Sequence, residues 1–175
     1  KLTCLTLLLL VCVSLFSQVK TLQAIKTTFT PTIDGVLDDI AWKDVQVATD
    51  FIQNFPHFGQ PASQKTEVRI VYDNDAIYVG AYLFDDPSLV RRQITARDEE
   101  QSKDLDYFSV FLDTYNDQQN GFQFLVTSSN VQTDARLSPS VVTELGVYGD
   151  KTWDAVWDSK VAMQKDGWAV EIKIP

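Results

Sequence analysis

Apolar and polar residues alternate along most of this chain with a period of two, the signature of half-buried strands. "TEVRIVY" (Thr66 to Tyr72) sets Val68, Ile70 and Tyr72 on one face against Glu67, Arg69 and Val71 on the other. After the turn "DND", "AIYVGAYLFD" (Ala76 to Asp85) returns as a more fully apolar strand. "YFSVFLD" (Tyr107 to Asp113) separates Phe108, Val110 and Leu112 from Tyr107, Ser109 and Phe111, and "FQFLVTS" and "VQTDAR" follow. Near the end, "SKVAMQ" and "WAVEIKI" flank "KDG", with Trp168, Val170, Ile172 and Ile174 sharing one side. Asp166-Gly167 is a hairpin signal, because glycine takes the positive φ of a tight turn without steric cost.

Only "LDDIAWKD" (Leu37 to Asp44) carries a helical pattern, about two turns with acidic residues at its start. The expected fold is therefore all-β, an antiparallel β-sandwich of jelly-roll or immunoglobulin-like type with one short helix. Two irregular stretches, Pro56 to Lys65 and Leu137 to Lys151, are long enough to be expected binding surfaces.

The first residues differ in kind. "LTLLLLVCVSLF" (Leu5 to Phe16) behind Lys1 has the proportions of a signal-peptide core and falls short of the roughly 20 residues of a membrane-spanning helix. Residues 1–18 are read as a leader cleaved near Ser17 or Gln18, and residues 24–175 as one exported domain in the periplasm, outer membrane or extracellular space. Both cysteines, Cys4 and Cys12, lie in the leader, so the domain has neither a disulfide framework nor a thiolate metal site. "VEIKIP" reads as a core strand cut short, and a further strand is expected beyond it.

Charge narrows the partners. With 24 acidic and 15 basic residues in 175, a net charge of −9, the chain is repelled by nucleic acid and anionic lipid. A neutral, hydroxyl-rich or cationic partner fits better.

The stretch "DTYNDQQNG" (Asp113 to Gly121) invites a calcium reading. An EF-hand loop, however, needs glycine at its sixth position and glutamate at its twelfth, where this chain has Gln118 and Phe124. The stretch reads as a hairpin with Asn120-Gly121 at its exit. A looser calcium site, with Asp113, Asn116 and Asp117 supplying oxygens, stays open as the one candidate cofactor. Catalytic patterns are absent: the single histidine, His57, stands in a loop without a G-x-S-x-G, and no phosphate or dinucleotide fingerprint appears. Acid pairs such as Asp104 with Asp106 can be nominated for glycoside hydrolysis, but spacing alone fixes neither separation nor pKa. No catalytic residue is assigned.

"KTWDAVWDSK" interleaves Trp153 and Trp157 with Asp154 and Asp158. Flat rings stack on the C–H faces of sugars while carboxylates accept hydroxyl hydrogens, so the pair is either a ligand platform or a buried anchor under the preceding loop. "TARDEE" offers Arg97 and Asp98, as a loop-pinning pair or as ligand contacts.

Taken in order, "TIDGVLDDIAW", "TEVRIVYDNDAIYVGAYLFD", "DYFSVFLDTYNDQQNGFQF", "WDAVW" and "DGWAVEIKIP" resemble the family-9 carbohydrate-binding-module-like domain. More narrowly, they are similar to the version at the N-terminus of exported bacterial proteins with a C-terminal region of unknown function, an expected outer-membrane β-barrel. The resemblance implies a sandwich that binds plant or microbial polysaccharide, sometimes with structural calcium. It also implies a tryptophan wall before the matching strand, where this chain has Lys103, and a polar pair at positions occupied by Leu125 and Thr127. A second wall tryptophan would lie beyond Pro175. Asp106 aligns. The expected role is non-catalytic carbohydrate binding that serves carbohydrate catabolism, through Arg97, Asp98, Asp106, Trp153 and Trp157. The alternatives are an interaction module attached to the barrel that has lost sugar affinity, and an accessory domain of a glycoside hydrolase.

Overall fold

A computed structural model describes residues 20–99, 104–139 and 149–175. The expected leader, Lys103 and most of the loop from Leu137 to Lys151 lie outside these residues. Among the described residues eight strands follow in order: β1 (Ile25–Lys26), β2 (Thr66–Tyr72), β3 (Ile77–Phe84), β4 (Tyr107–Leu112), β5 (Gly121–Thr127), β6 (Gln132–Leu137), β7 (Asp158–Gln164) and β8 (Gly167–Ile174). They form a five-stranded sheet of order β1-β2-β3-β8-β7 and a three-stranded sheet of order β4-β5-β6. Every pairing is antiparallel except β1 with β2.

The two layers meet through the faces that the alternation marks. Val68, Val79, Ala81, Trp168, Val170, Ile172 and Ile174 of the large sheet pack with Phe124, Val126 and Trp157 into one core. Phe108, Val110 and Leu112 close over it from β4, while Tyr107 and Phe111 face outward, in the expected register. The Asp166-Gly167 hairpin joins β7 to β8, with Gly167 at φ +148°. A Cβ there would stand 2.0 Å from the Leu83 carbonyl oxygen, so the close approach of β3 requires glycine as much as the turn does.

Two expectations are corrected. The helix over Leu37 to Asp44 is a single 3-10 turn, Ile40–Trp42. The Asp39 side chain does not cap it but accepts the Thr32 amide, and Asp44 at φ +58° ends the segment. The outer face of the large sheet is also not polar throughout. Val71, Ala76 and Tyr78 form a second cluster with Ala41 and Trp42, so Val71 is buried where the alternation placed it with Glu67 and Arg69. Tyr72 keeps the face it shares with Ile70 but is partly exposed there.

Glu171 explains why the 34–42 segment docks there. Its side chain is fully buried on that outer face. Oε2 accepts the amides of Asp34 (2.9 Å) and Gly35 (2.8 Å), and Oε1 accepts the indole Nε1–H of Trp42 (2.9 Å). Gly80, its neighbour on β3, leaves the space that Leu37 and the Trp42 ring fill. Three N–H donors offset part of the cost of burying a carboxylate.

Candidate functional site

The segment leading into β7 decides the fate of both tryptophans. Residues 153–157 run extended, and their burial alternates: Trp153 and Ala155 half-buried, Trp157 buried, Asp154 and Val156 exposed. Both indoles therefore point between the sheets. Trp157 is 6% exposed and meets Phe124 edge-on, ring centres 5.3 Å apart at 81°. Trp153 lies tilted against Phe122 at 4.5 Å and edge-on to Phe124 at 6.2 Å. Trp157 is thus a core anchor rather than a platform. Trp153 keeps part of its surface in the cleft described below.

Arg97 and Asp98 are brought to the outer side of this segment. The Arg97 guanidinium pairs with the buried carboxylate of Asp134 on β6 and donates to Gln132 Oε1 (2.9 Å); its Nε lies 3.7 Å from Asp98 and 3.8 Å from the exposed Asp154. The other oxygen of Asp134 accepts the Ala155 amide. Asp134, which the sequence reading missed, is therefore the hub that locks the 95–99 loop and the tryptophan segment to β6. The signal was available in "VQTDAR", an acid at an inward strand position, since a buried charge must be paired. Gln132 continues the seam, donating to the Trp157 carbonyl and to Ser159. Asp98 sits at φ +64°, and burial pushes its carboxyl pKa up against the pull of Arg97. Among the described residues, Asp98 Oδ1, Thr95 Oγ1 and Trp157 Nε1 are buried without a hydrogen-bond partner.

Asp106 belongs elsewhere. Its carboxylate accepts the Arg91 amide (2.9 Å) and its backbone exchanges bonds with Arg91 and Ser128, which pins residue 91 beside the start of β4. It is not gathered with Arg97 or the tryptophans.

The β4–β5 connection is a hairpin loop. Asp113 accepts the amides of Asp117 and Gln118; Asp117 accepts those of Gln119 and Asn120 and the Asn120 side chain. Those amide hydrogens hold the Asp117 pKa below its usual range. Asn116 and Gln118 take positive φ. Each carboxylate thus already serves its own turn, and among the described residues no group of three His, Cys, Asp or Glu gathers to hold a metal.

A cavity of about 860 Å³ lies between the sheets on the β4 side. Ile70, Val79, Val110, Leu112, Phe122 and Trp153 line it. Its mouth carries Tyr72, Asn74, Asp75 and Thr114. Asp73 builds that mouth: Oδ1 accepts the Asp75 and Ala76 amides and Oδ2 accepts Tyr78 Oη and Thr30 Oγ1. Burial and this carboxylate push the Tyr78 phenol up to about 12. The volume falls within the few hundred to about 1,000 Å³ of small-ligand sites. Leu125 and Thr127, where the resemblance implied a polar pair, are fully buried and face no solvent.

Comparison with known proteins places these features in a family. The model of the carbohydrate family 9 binding domain-like family matches residues 33–175, and the chain belongs to that family. Two solved structures of a family 9 carbohydrate-binding module from Caldicellulosiruptor kristjanssonii, one in complex with cellotriose and one with glucose, are similar to it. Their TM-scores are 0.55 and 0.56 at 21% and 22% identity, covering 87% of this chain and 67% and 68% of theirs. At that identity the likeness concerns the fold. No curated protein matches the chain.

Proposed function

We propose that this member of the family 9 binding domain-like family is a non-catalytic carbohydrate-binding domain of an exported or outer-membrane protein, serving the capture of polysaccharide for catabolism. The observation that carries the reading is the family match along residues 33–175, on a sandwich similar to modules in complex with cellotriose and glucose. The chemistry of the cleft agrees with it. Trp153 and Tyr72 offer ring surface to the C–H face of a sugar, and Asn74, Asp75 and Thr114 at the mouth offer hydroxyl partners. Arg97, Asp98 and Asp134 act as positioning residues that hold the Trp153 segment from behind. The partner is a neutral oligosaccharide or polysaccharide, and a C-terminal barrel region of the same protein is the expected neighbour.

A second reading has its own observation. The cleft is lined largely by hydrocarbon and is bordered by β4, an edge strand, which suits an extended polypeptide segment as well as a sugar. Under it the domain is an interaction module that no longer binds sugar.

Titration calorimetry with cellotriose and glucose separates the two. Heat with cellotriose that disappears in Trp153→Ala supports sugar binding in the cleft; no heat with either ligand sinks it and leaves the interaction module.

A further inference from the structure

The loop before β2 has a composition unlike the rest of the chain. Residues 51–64, "FIQNFPHFGQPASQ", contain no Asp, Glu, Lys or Arg, although Asp50 and Lys65 bracket them and the chain carries a net charge of −9. Apolar rings stand at its tip in solvent: Phe55 is 79% and Phe58 80% exposed, with Phe51 and Ile52 exposed behind them.

Floppiness does not explain this exposure, because the loop braces itself. The Gln53 amide donates to the Gln60 carbonyl (2.7 Å), Gly59 to Gln53 (2.9 Å), Gln60 to His57 (3.1 Å) and Ala62 to Phe51 (2.9 Å). The Gln53 side chain donates to the Pro61 carbonyl (2.7 Å), and Ile52 bridges Pro61. Gly59 turns the tip at φ +77°. Two large rings held out on a backbone already ordered cost little further entropy when a partner arrives.

We propose that this loop is a second glycan-contact surface, at which Phe55 and Phe58 lie on the C–H faces of a neutral polysaccharide. Exposed Asn54, His57 and Gln60 supply uncharged hydrogen-bonding groups around them. The absence of charge over fourteen consecutive residues removes the attraction an ionic ligand would need. The acidic remainder repels anionic lipid. Aromatic rings with amides are the complement of sugar rings with hydroxyls. The inference rests on carbohydrate binding as the function and adds to it a site for extended, surface-presented chains, apart from the Trp153 cleft.

The test compares the wild-type chain with Phe55→Ala/Phe58→Ala and with Phe55→Tyr/Phe58→Tyr. Retention on amorphous cellulose is measured by depletion, and cellotriose affinity by calorimetry. The alanine pair is expected to weaken cellulose retention about ten-fold or more, to leave cellotriose affinity and Tm unchanged, and the tyrosine pair to restore retention. Unchanged cellulose retention in the alanine pair, with wild-type binding intact, overturns this inference alone. So does a change in sedimentation or in binding to neutral lipid vesicles without a change on cellulose, which would assign the rings to self-association or a membrane. Wild-type protein that binds neither probe overturns the functional reading as well.

Discussion

The indole Nε1–H of Trp42 donates to Glu171 Oε1 at 2.9 Å, across 129 residues of sequence. With the amides of Asp34 and Gly35 on Oε2, it makes one buried carboxylate the anchor of the whole segment before β2. Glu171→Ala leaves two buried donors and the part-buried Asp34 amide without an acceptor and is expected to cost about 3 kcal/mol or more of stability. Trp42→Phe removes one donor and is expected to cost less. Urea unfolding of both variants measures the ranking; equal stability of Glu171→Ala and wild type contradicts it.

Glu171 also sets a pH dependence. Burial pushes its pKa above the ordinary 4.5, while the Asp34 amide, Trp42 and the Gly35 amide pull against it without cancelling it. A folded-state pKa above the unfolded one gives a contribution that is fully present below about 4.5 and is lost as pH rises through the folded value. The stability of wild type relative to Glu171→Gln is therefore expected to decline across that interval. Unfolding curves at stepped pH check this, and a difference that stays flat refutes it.

The tryptophans should separate stability from binding. Trp157→Ala empties a core site and is expected to cost about 3–5 kcal/mol. Trp153→Ala is expected to unfold at a temperature much nearer wild type and to lose cellotriose binding. Thermal melts beside calorimetry read both.

Gly167→Ala places a methyl group against the Leu83 carbonyl at a backbone conformation side chains rarely adopt. A loss of more than about 1 kcal/mol is expected. Retained stability would show that the end of β3 at Leu83 can move aside.

If Asp113 and Asp117 serve only their turn, chelator leaves Tm unchanged while Asp113→Ala lowers stability by about 1 kcal/mol through the two amides it frees. A drop in Tm on chelation, reversed by added calcium, would give the loop to an ion instead.

Local rules carried far here. Alternation alone placed Phe108, Val110 and Leu112, and Trp168, Val170, Ile172 and Ile174, toward the shared core, and turn chemistry located the Asp166-Gly167 and Asn120-Gly121 hairpins. These depend on neighbours two to four residues apart, so the sequence by itself determines them, and with them the two-layered all-β class. What covers the other side of a strand is a different matter. Val71 and Glu171 are buried because residues 34–42 dock on them, and Asp134 because Arg97 arrives from another loop. Whether Trp153 or Trp157 kept contact with the cleft was equally beyond reach, because both share one face and only the position of Phe122 and Phe124 tells them apart. Periodicity assigns a residue to a side; only packing between segments distant in sequence decides whether that side meets protein, ligand or water.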